Sequence, residues 1–369
     1  MINARISRFQ DLLKNNQFDA MIFNASPSLF YLSGLNFHLS ERPVVLVICP
    51  EGSPLLVLPE LELRKVSSVD FPIDVYPYPE EVSRWSQLFH EALGSRDLPP
   101  TARIGMEPRY LRLLEYNLLL PALPASPLHD GSHLISTMRA VKSAQEIELQ
   151  QQAVDIAEQA LYNILPQIKP GITEKEIGAR LVAELFEGGS DAALPFSPIV
   201  SSGPNGANPH AAPSDRELTQ GDLLIIDWGA GYQGYVSDLT RTFAIGPIDQ
   251  KYQDIHRIVR EANQAAREKA GPGIPCCEVD SAARSVITKA GYGTQFTHRT
   301  GHGLGLECHE EPYIRGDNTD ILETGMSFTI EPGIYFEHEN GVRIEDDVVI
   351  TDTGAHSLSS FPRELMILG

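Results

Sequence analysis

The spacing of apolar residues in the first third of the chain switches between a helical and a strand-like pattern. Ile6, Phe9, Leu12 and Leu13 recur at the spacing of an amphipathic helix. FDAMIF, VVLVIC and PLLVL are short apolar runs typical of buried strands, and a helical segment around Leu29 separates the first two. This alternation predicts a small α/β domain.

A Pro-rich stretch, LPALPASPLHDGS, begins at Leu120 and indicates the approach to a domain boundary. Ser143 and Glu146 then have the spacing of a capping box, which predicts the start of a long helix. With 369 residues the chain is also longer than one ordinary hydrophobic core needs. We therefore predict two domains, residues 1–135 and residues 136–369.

The second predicted domain carries a weak copy of itself. PGITEKEI begins at residue 170 and recurs as PGIPCCEV at residue 272, an offset of 102 residues. LTQGDLLIIDWG begins at residue 218 and recurs as LETGMSFTIEPG at residue 322, an offset of 104 residues. Each match is short enough to be a coincidence, but two nearly equal offsets favour a duplication. The duplication makes Asp227 equivalent to Glu331.

Charge and composition exclude several classes of partner. The chain has 29 Lys+Arg against 49 Asp+Glu, a net charge of −20, which opposes binding to nucleic acid and to anionic membranes. It contains no run of ~18 apolar residues, and its N-terminus has no apolar run followed by a cleavage site, so we expect a cytoplasmic protein. The four cysteines lack CxxC spacing, which predicts reduced thiols.

Two carboxylates frame a predicted hairpin. Asp227 ends the apolar run LLIID, and the turn GAGYQG leads to YVSDLTRTFAI. A turn centred between Tyr232 and Gln233 would place Asp238 directly opposite Asp227. Like charges in such a pair repel each other, and the apolar neighbours argue against an exposed, hydrated hairpin. We therefore expect a cation between the two carboxylates.

The second copy repeats this arrangement. Glu331 ends SFTIE, and GVRIEDDVVI brings back Glu345, although the intervening loop does not determine the register. If the two halves pack about an approximate twofold axis, all four acids converge, and two divalent cations would balance their charge. The stretch HRTGHGLGLECHEEPYI, which begins at His298, adds three histidines. By itself this stretch is compatible with a metal site, a catalytic base or a polar loop.

The order Asp227, Asp238, His302, Glu331 and Glu345, with IIDWGAGYQGYVSDLTRTF, TGHGLGLECHE and TIEPGIY, resembles the two-metal peptidases of the creatinase fold. The similarity is to their Xaa-Pro branch, the prolidases and aminopeptidases P, and covers nearly the whole chain. It implies an α/β creatinase-type N-terminal domain and an α+β "pita-bread" catalytic domain with an internal pseudo-twofold repeat. It also implies a homodimer.

The resemblance assigns a role to each of the five ligands. Asp227 would bind one metal ion, His302 and Glu331 the other, and Asp238 and Glu345 would bridge the two. Oxygen-rich ligation with one imidazole suits Mn²⁺ or Co²⁺, and Zn²⁺ and Fe²⁺ are also compatible. The implied reaction is hydrolysis of the bond between an N-terminal residue and a following proline.

Further residues acquire roles from the same resemblance. His210 and His309 would contact the substrate and stabilise the charge that develops on the scissile carbonyl. His298 would line the pocket for proline, and Arg343 would support the site electrostatically. Glu331 would also move a proton to the leaving nitrogen. The remaining histidines have no such context, and we interpret them as surface residues: His129, His133, His256, His338 and His356.

Tyr313 departs from the pattern of strict dipeptidases. Such relatives tend to carry an arginine at this place, which pairs with the free prolyl carboxylate. A phenol cannot form that bidentate, charge-assisted pair, although Arg315 could replace the missing arginine if the loop bends. We therefore expect an aminopeptidase P-like enzyme that accepts longer peptides, with a strict Xaa-Pro dipeptidase as the alternative.

Three other functions are compatible with the fold but disfavoured by the residues. Creatine hydrolysis needs no metal by family analogy, and the complete ligand set argues against it. Methionine aminopeptidases lack the additional N-terminal domain. A non-catalytic interaction module, the alternative from a different class, would not need all five ligands.

Overall fold

The computed structural model describes residues 2–67, 69–123 and 128–369. The chain divides into two compact units, Met1–Arg139 and Ala140–Gly369. This division falls four residues after the expected position at residue 135, because residues 132–140 form one continuous helix. Residues 124–127 of the Pro-rich stretch lie outside the described residues.

The first unit is an α/β domain built on one mixed sheet with strand order β4-β3-β2-β1-β5-β6. Its elements are α1 (Ile2–Asn15), β1 (Ala20–Asn24), α2 (Pro27–Ser33), β2 (Val45–Ile48), β3 (Leu55–Pro59), α3 (Leu63–Val66), β4 (Asp74–Tyr78), α4 (Trp85–Gly94), β5 (Ile104–Met106), α5 (Leu113–Leu119), β6 (His129–Asp130) and α6 (Ser132–Ala140). The three apolar runs singled out in the sequence form β1, β2 and β3. Each of these strands is buried along its whole length, which explains why they are continuously apolar rather than alternating.

The second unit contains two sheets, with strand orders β19-β11-β8-β7 and β13-β12-β14-β17-β18, and two small hairpins. Its elements are α7 (Ala144–Ile164), α8 (Glu174–Glu187), β7 (Ile199–Ser202), β8 (Leu223–Trp228), β9 (Gly231–Tyr232), β10 (Tyr235–Val236), β11 (Leu239–Ile245), α9 (Gln250–Lys269), α10 (Cys276–Lys289), β12 (Gly301–Gly303), β13 (Glu310–Ile314), β14 (Ser327–Ile330), β15 (Gly333–Phe336), β16 (Asn340–Arg343), β17 (Asp346–Thr351), β18 (Gly354–Ser357) and β19 (Ile367–Leu368). The predicted capping box is present, because Ser143 Oγ accepts from the Glu146 N–H while the Glu146 carboxylate accepts from the Ser143 N–H.

The internal repeat predicted from the sequence is visible in the order of the elements. Each half has two packed helices (α7 and α8, or α9 and α10), two strands (β7 and β8, or β12 and β14), a small hairpin and a final strand (β11 or β17). In the second half β13 is inserted, and β18 and β19 follow the final strand of the repeat. Each half also has its own apolar core, between its helix pair and its sheet.

No helix in the described ranges has the length and apolar character that crossing a membrane requires.

Candidate metal centre

The first carboxylate pair lies on the hairpin that the sequence predicts, but with a different register. Gln233 and Gly234 both have positive φ, 50° and 86°, and form the two-residue turn of the hairpin. The turn centre is therefore one residue later than predicted, which shifts the pairing by two. Asp227 faces Thr240, so the prediction that it faces Asp238 was wrong. Residues two apart on a strand share a face, and Asp238 therefore still lies on the side of Asp227.

The second carboxylate pair comes from the equivalent hairpin. Ile330 pairs with Asp346, and Gly333 pairs with Arg343. Antiparallel pairing that continues between these two ladders places Glu331 opposite Glu345. A backbone bridge between the two halves then brings the pairs together, because Glu345 pairs with Thr240, the residue that faces Asp227.

His302 completes the cluster. Donor atoms of Asp238, His302 and Glu345 all lie within 4.8 Å of one another. His302 Nε2 is 3.5 Å from Glu331 Oε1 and 3.7 Å from Asp238 Oδ2. His302 Nδ1 lies 3.2 Å from the Gly303 carbonyl oxygen, which can only accept a hydrogen bond, so the ring proton is on Nδ1. The lone pair of Nε2 therefore faces the carboxylates, as in a metal-binding histidine.

Burial dominates the electrostatics of these groups. It raises the pKa of Asp227, Asp238 and Glu345, and the neighbouring carboxylates raise the pKa of Asp238 and Glu345 further. Burial also raises the pKa of Glu331 to about 7. The same desolvation, together with His309, lowers the pKa of His302 well below its usual value and keeps the imidazole neutral. The protein alone thus disfavours the charged carboxylates that it concentrates here.

The donor set fits divalent cations. Asp227 Oδ1 is buried and has no hydrogen-bond partner among the described residues. The other oxygen, Oδ2, accepts from Arg343 Nη2 at 2.6 Å. Arg343 is the buried cation beside the cluster, and one guanidinium cannot balance four carboxylates. Hard oxygen donors with one neutral imidazole are the ligands that Mn²⁺, Co²⁺, Fe²⁺ and Zn²⁺ accept.

Arg343 and His298 belong to one hydrogen-bonded chain. Arg343 Nη1 donates to the Tyr335 hydroxyl oxygen at 2.8 Å, and that hydroxyl lies 3.0 Å from His298 Nε2. His298 Nδ1 is 2.7 Å from the Arg299 carbonyl oxygen and must donate to it. Nε2 then accepts from Tyr335, and burial, which lowers the pKa of His298 to about 4, keeps this tautomer uncharged. The side chain of His298 therefore has a defined orientation.

The cluster opens into a cavity of about 580 Å³. All five predicted ligands and the predicted residues His210, His298, His309 and Arg343 line it. His210 and His309 are exposed, and the rings of His309 and His302 are 4.2 Å apart. Tyr313 is not among the lining residues; it pairs with His302 across β12 and β13. Arg315, the suggested replacement for an arginine at this position, is exposed and forms an ion pair with Asp317 at 3.1 Å.

Residues 148–352 match the sequence model of metallopeptidase family M24, and residues 5–141 match that of the creatinase/prolidase N-terminal domain. The chain belongs to metallopeptidase family M24. A Xaa-Pro dipeptidase of Pyrococcus horikoshii is 32% identical over 367 residues, covering 99% of each sequence. A solved prolidase from Thermococcus sibiricus is 35% identical with a TM-score of 0.94, covering 100% of this chain and 99% of that one. A solved X-Pro aminopeptidase from Thermotoga maritima is 31% identical with a TM-score of 0.85, covering 99% of each chain.

Family membership confirms that the chain is a peptidase, with a creatinase-type N-terminal domain and a pita-bread catalytic domain. M24 peptidases use divalent metal ions, and the carboxylate cluster described above is a suitable site for them. The relatives include both Xaa-Pro dipeptidases and an X-Pro aminopeptidase.

The sequence did not point to three further residues of the site in this M24 peptidase. Arg299 lines the cavity, and its guanidinium carbon lies 4.7 Å from the centre of the Tyr313 ring. Cys308 Sγ is 3.0 Å from Asp238 Oδ2, and Asp347 accepts a hydrogen bond from the Asp238 N–H. Arg299 and Cys308 lie inside the histidine stretch, so a search of that stretch for every polar side chain would have found them.

Proposed function

We propose that this M24 peptidase is an exopeptidase that hydrolyses the bond between an N-terminal residue and a following proline, with two divalent metal ions. The observation that carries the proposal is the convergence of four carboxylates and the Nε2 lone pair of His302 at the wall of one cavity. Relatives named for this activity over their whole length support it.

The ligands would be divided as the family pattern implies. Asp227 would hold one ion, His302 and Glu331 the other, and Asp238 and Glu345 would contact both. When bound, such ions lower the pKa of a water molecule and polarise the carbonyl that it attacks. Mn²⁺ or Co²⁺ is the expected metal, because the donor set is rich in oxygen.

Side chains of the protein would carry out the remaining steps. Glu331 would accept a proton from the attacking water and return it to the prolyl nitrogen. His309 and His210 reach the cavity from its exposed side and would donate hydrogen bonds to the oxygen of the scissile carbonyl as its charge grows. Each of these donors contributes most in the transition state, which is where it accelerates the reaction.

Proline would be recognised by shape. A prolyl amide has no N–H and cannot be held by a strand-like hydrogen bond. The ring would pack against His298, whose orientation is determined by Tyr335 and the Arg299 carbonyl. Because His298 is uncharged, the pocket can take an apolar ring without the cost of desolvating a cation.

A separate question is whether the enzyme prefers dipeptides or longer peptides. Tyr313 led us to expect an enzyme that accepts Xaa-Pro-Yaa and longer peptides. The position of Arg299 over the Tyr313 ring supports the alternative, a preference for dipeptides, since it places a cation beside that ring.

The decisive experiment compares kcat/KM for Ala-Pro, Ala-Pro-Ala and Ala-Ala, with the metal-free protein reconstituted with Mn²⁺ or Co²⁺. We expect release of alanine from a prolyl substrate, at least ~10²-fold less from Ala-Ala, and no reaction after treatment with a chelator. Equal cleavage of Ala-Pro and Ala-Ala would contradict proline specificity. Failure of the protein to cleave any prolyl substrate would overturn the proposed function.

The homodimer implied by the family resemblance and the cytoplasmic location expected from the sequence stay predictions. Light scattering at the assay concentration tests the first, and a monomer would contradict it.

A further inference from the structure

The guanidinium of Arg299 lies at the wall of the catalytic cavity and, among the described residues, forms no hydrogen bond or close ion pair with a carboxylate. It stacks on the Tyr313 ring and interacts at longer range with the charges of Glu331 and Glu311. Arg299 is half-buried and lines the same cavity as the ligands. A guanidinium that is neither paired nor fully exposed is available to bind an anion that enters the cavity.

The other arginines nearby are already occupied. Arg343, which also lines the cavity, donates to Asp227, Tyr335 and Thr240. Arg284 pairs with Asp280 and donates to two backbone carbonyls. Of the two arginines that line the described cavity wall, Arg299 is thus the one whose guanidinium is not hydrogen-bonded to a carboxylate and can bind a substrate.

The position of Arg299 is determined from two directions. Its carbonyl oxygen accepts from His298 Nδ1, which ties its backbone to the residue proposed to contact the proline ring. Its guanidinium stacks on Tyr313, whose backbone pairs with that of the ligand His302. Tyr313 has the sequence position at which strict dipeptidases tend to carry an arginine, and Arg299, in the segment that precedes β12, places a cation beside that position.

The charge balance of the cavity favours such a cation for a dipeptide. The two proposed metal ions would balance the four carboxylates at its wall, so Arg299 is a positive charge that can pair with an additional carboxylate on the substrate. The prolyl carboxylate is free and charged only in a dipeptide, because in a longer peptide the same carbon is a neutral amide. A guanidinium binds a carboxylate through two parallel, charge-assisted hydrogen bonds and an amide carbonyl less strongly.

We propose that Arg299 binds the free prolyl carboxylate of Xaa-Pro dipeptides and makes the enzyme prefer them over Xaa-Pro-Yaa peptides. This inference rests on the proposed function, since it assigns the recognition of substrate length to the same cavity. Tyr313 acts as the surface on which the guanidinium is held rather than as a ligand of the substrate.

The test compares Ala-Pro with its amide, Ala-Pro-NH₂, which differs only in the charge and hydrogen bonding of the terminal group. The wild-type enzyme should have a kcat/KM for Ala-Pro that is ~10- to 100-fold higher than for the amide. Arg299→Gln should reduce this ratio to near one, chiefly by slowing Ala-Pro, and Arg299→Lys should restore part of it. Arg315→Gln removes the same charge outside the cavity and should leave the ratio unchanged.

A second measurement does not depend on turnover. Titration calorimetry should show that proline binds to the wild-type protein more tightly than prolinamide does, and that Arg299→Gln removes the difference. The metal content of the variant should equal that of the wild type, because Arg299 is not among the proposed ligands.

The outcomes separate the two proposals. If the wild type cleaves both substrates but Arg299→Gln slows them equally, Arg299 acts on the ligands and not on the carboxylate, and this inference is wrong while the proposed function stands. A wild-type enzyme that cleaves Ala-Pro-NH₂ as fast as Ala-Pro would also overturn the inference. If neither is cleaved under any metal condition, the proposed function fails and the inference with it.

Discussion

The two halves of the catalytic unit have the same order of elements but contribute differently to the site. Each supplies two acids, Asp227 and Asp238 from the first half, and Glu331 and Glu345 from the second. The strand before the first acid differs, because β7 reads IVSS and its counterpart β12 reads GHG. Only the second half therefore adds His302, and the segments on either side of β12 add His298, Arg299 and His309. The duplicated acids concentrate negative charge, whereas the residues proposed to contact the substrate, His210 of the first half included, have no counterpart in the other half.

The largest expected effect comes from removing either of the two acids proposed to contact both metal ions, one from each half. Asp238→Ala or Glu345→Ala should lower kcat/KM by at least ~10³-fold and remove most of the bound metal, because each would delete a contact to both ions. Metal analysis and peptide hydrolysis measure the two effects. Asp254→Ala, an exposed aspartate on α9, is the control. Normal activity with normal metal content in either variant would refute the two-metal site.

The ion pair that joins the halves is the next largest contribution. Arg343 and Asp227 are both buried, and Arg343→Met would leave the carboxylate without its partner. We expect the free energy of unfolding of the metal-free protein to fall by ~3–5 kcal/mol, measured with a chemical denaturant. Arg257→Met, which breaks an exposed pair, should have no measurable effect. Equal stability of the Arg343 variant and the wild type would show that the pair does not hold the halves together.

A residue without a counterpart in the other half should affect turnover without affecting the metal. His309→Ala should lower kcat by ~10²-fold, because a donor to the developing charge on the scissile oxygen contributes on that scale. Metal content should stay near that of the wild type. His338→Ala changes an exposed histidine that does not line the cavity and is the matched control. If the His309 variant loses its metal as well, His309 is a ligand.

The smallest effect concerns the helices of the two halves. Helix α9 buries His256, whereas its counterpart α7 has no histidine. Burial, with Arg260 and Arg241, lowers the pKa of His256 to about 4, while Glu364 and the Thr242 backbone oppose the shift. The folded state thus binds fewer protons than the unfolded state between pH 4 and about 6.5, so stability is complete above pH 6.5 and is lost as the pH falls.

We expect this loss to reach ~1 kcal/mol at pH 5.5 and to disappear in His256→Gln. Denaturant unfolding of the wild type and the variant at pH 5.5 and 7.5 measures the difference between them. His356→Gln, at an exposed position, should show the wild-type dependence. The same pH dependence in the His256 variant would assign the effect to other groups. His256 was interpreted as a surface residue from the sequence, and that interpretation was wrong. It lies beside the buried face of α9, which the helical spacing of Ile255, Val259 and Ala262 marks in the sequence.

Local chemistry made most of the fold predictable. The strands β1, β2 and β3 are continuous apolar runs, and the capping box at Ser143 depends on residues only three apart. The duplication could be read from spacing alone, because it is recorded in residue order. The register of the first hairpin could not, since a turn one residue further along is compatible with the same apolar pattern.

The sequence by itself determined the fold class, the two-domain organisation, the internal repeat and the set of acids and histidines that could act together. Only the tertiary structure decided that Asp227 faces Thr240 and that Arg315 forms an ion pair with Asp317. It also decided that Arg299 packs on the Tyr313 ring near the proposed metal ligands. The physical reason is that apolar periodicity, caps and repeats are properties of near neighbours in the chain. The environment of a charged side chain depends instead on which distant strands surround it, and in a cavity that environment decides whether an arginine is already paired or free to bind a substrate.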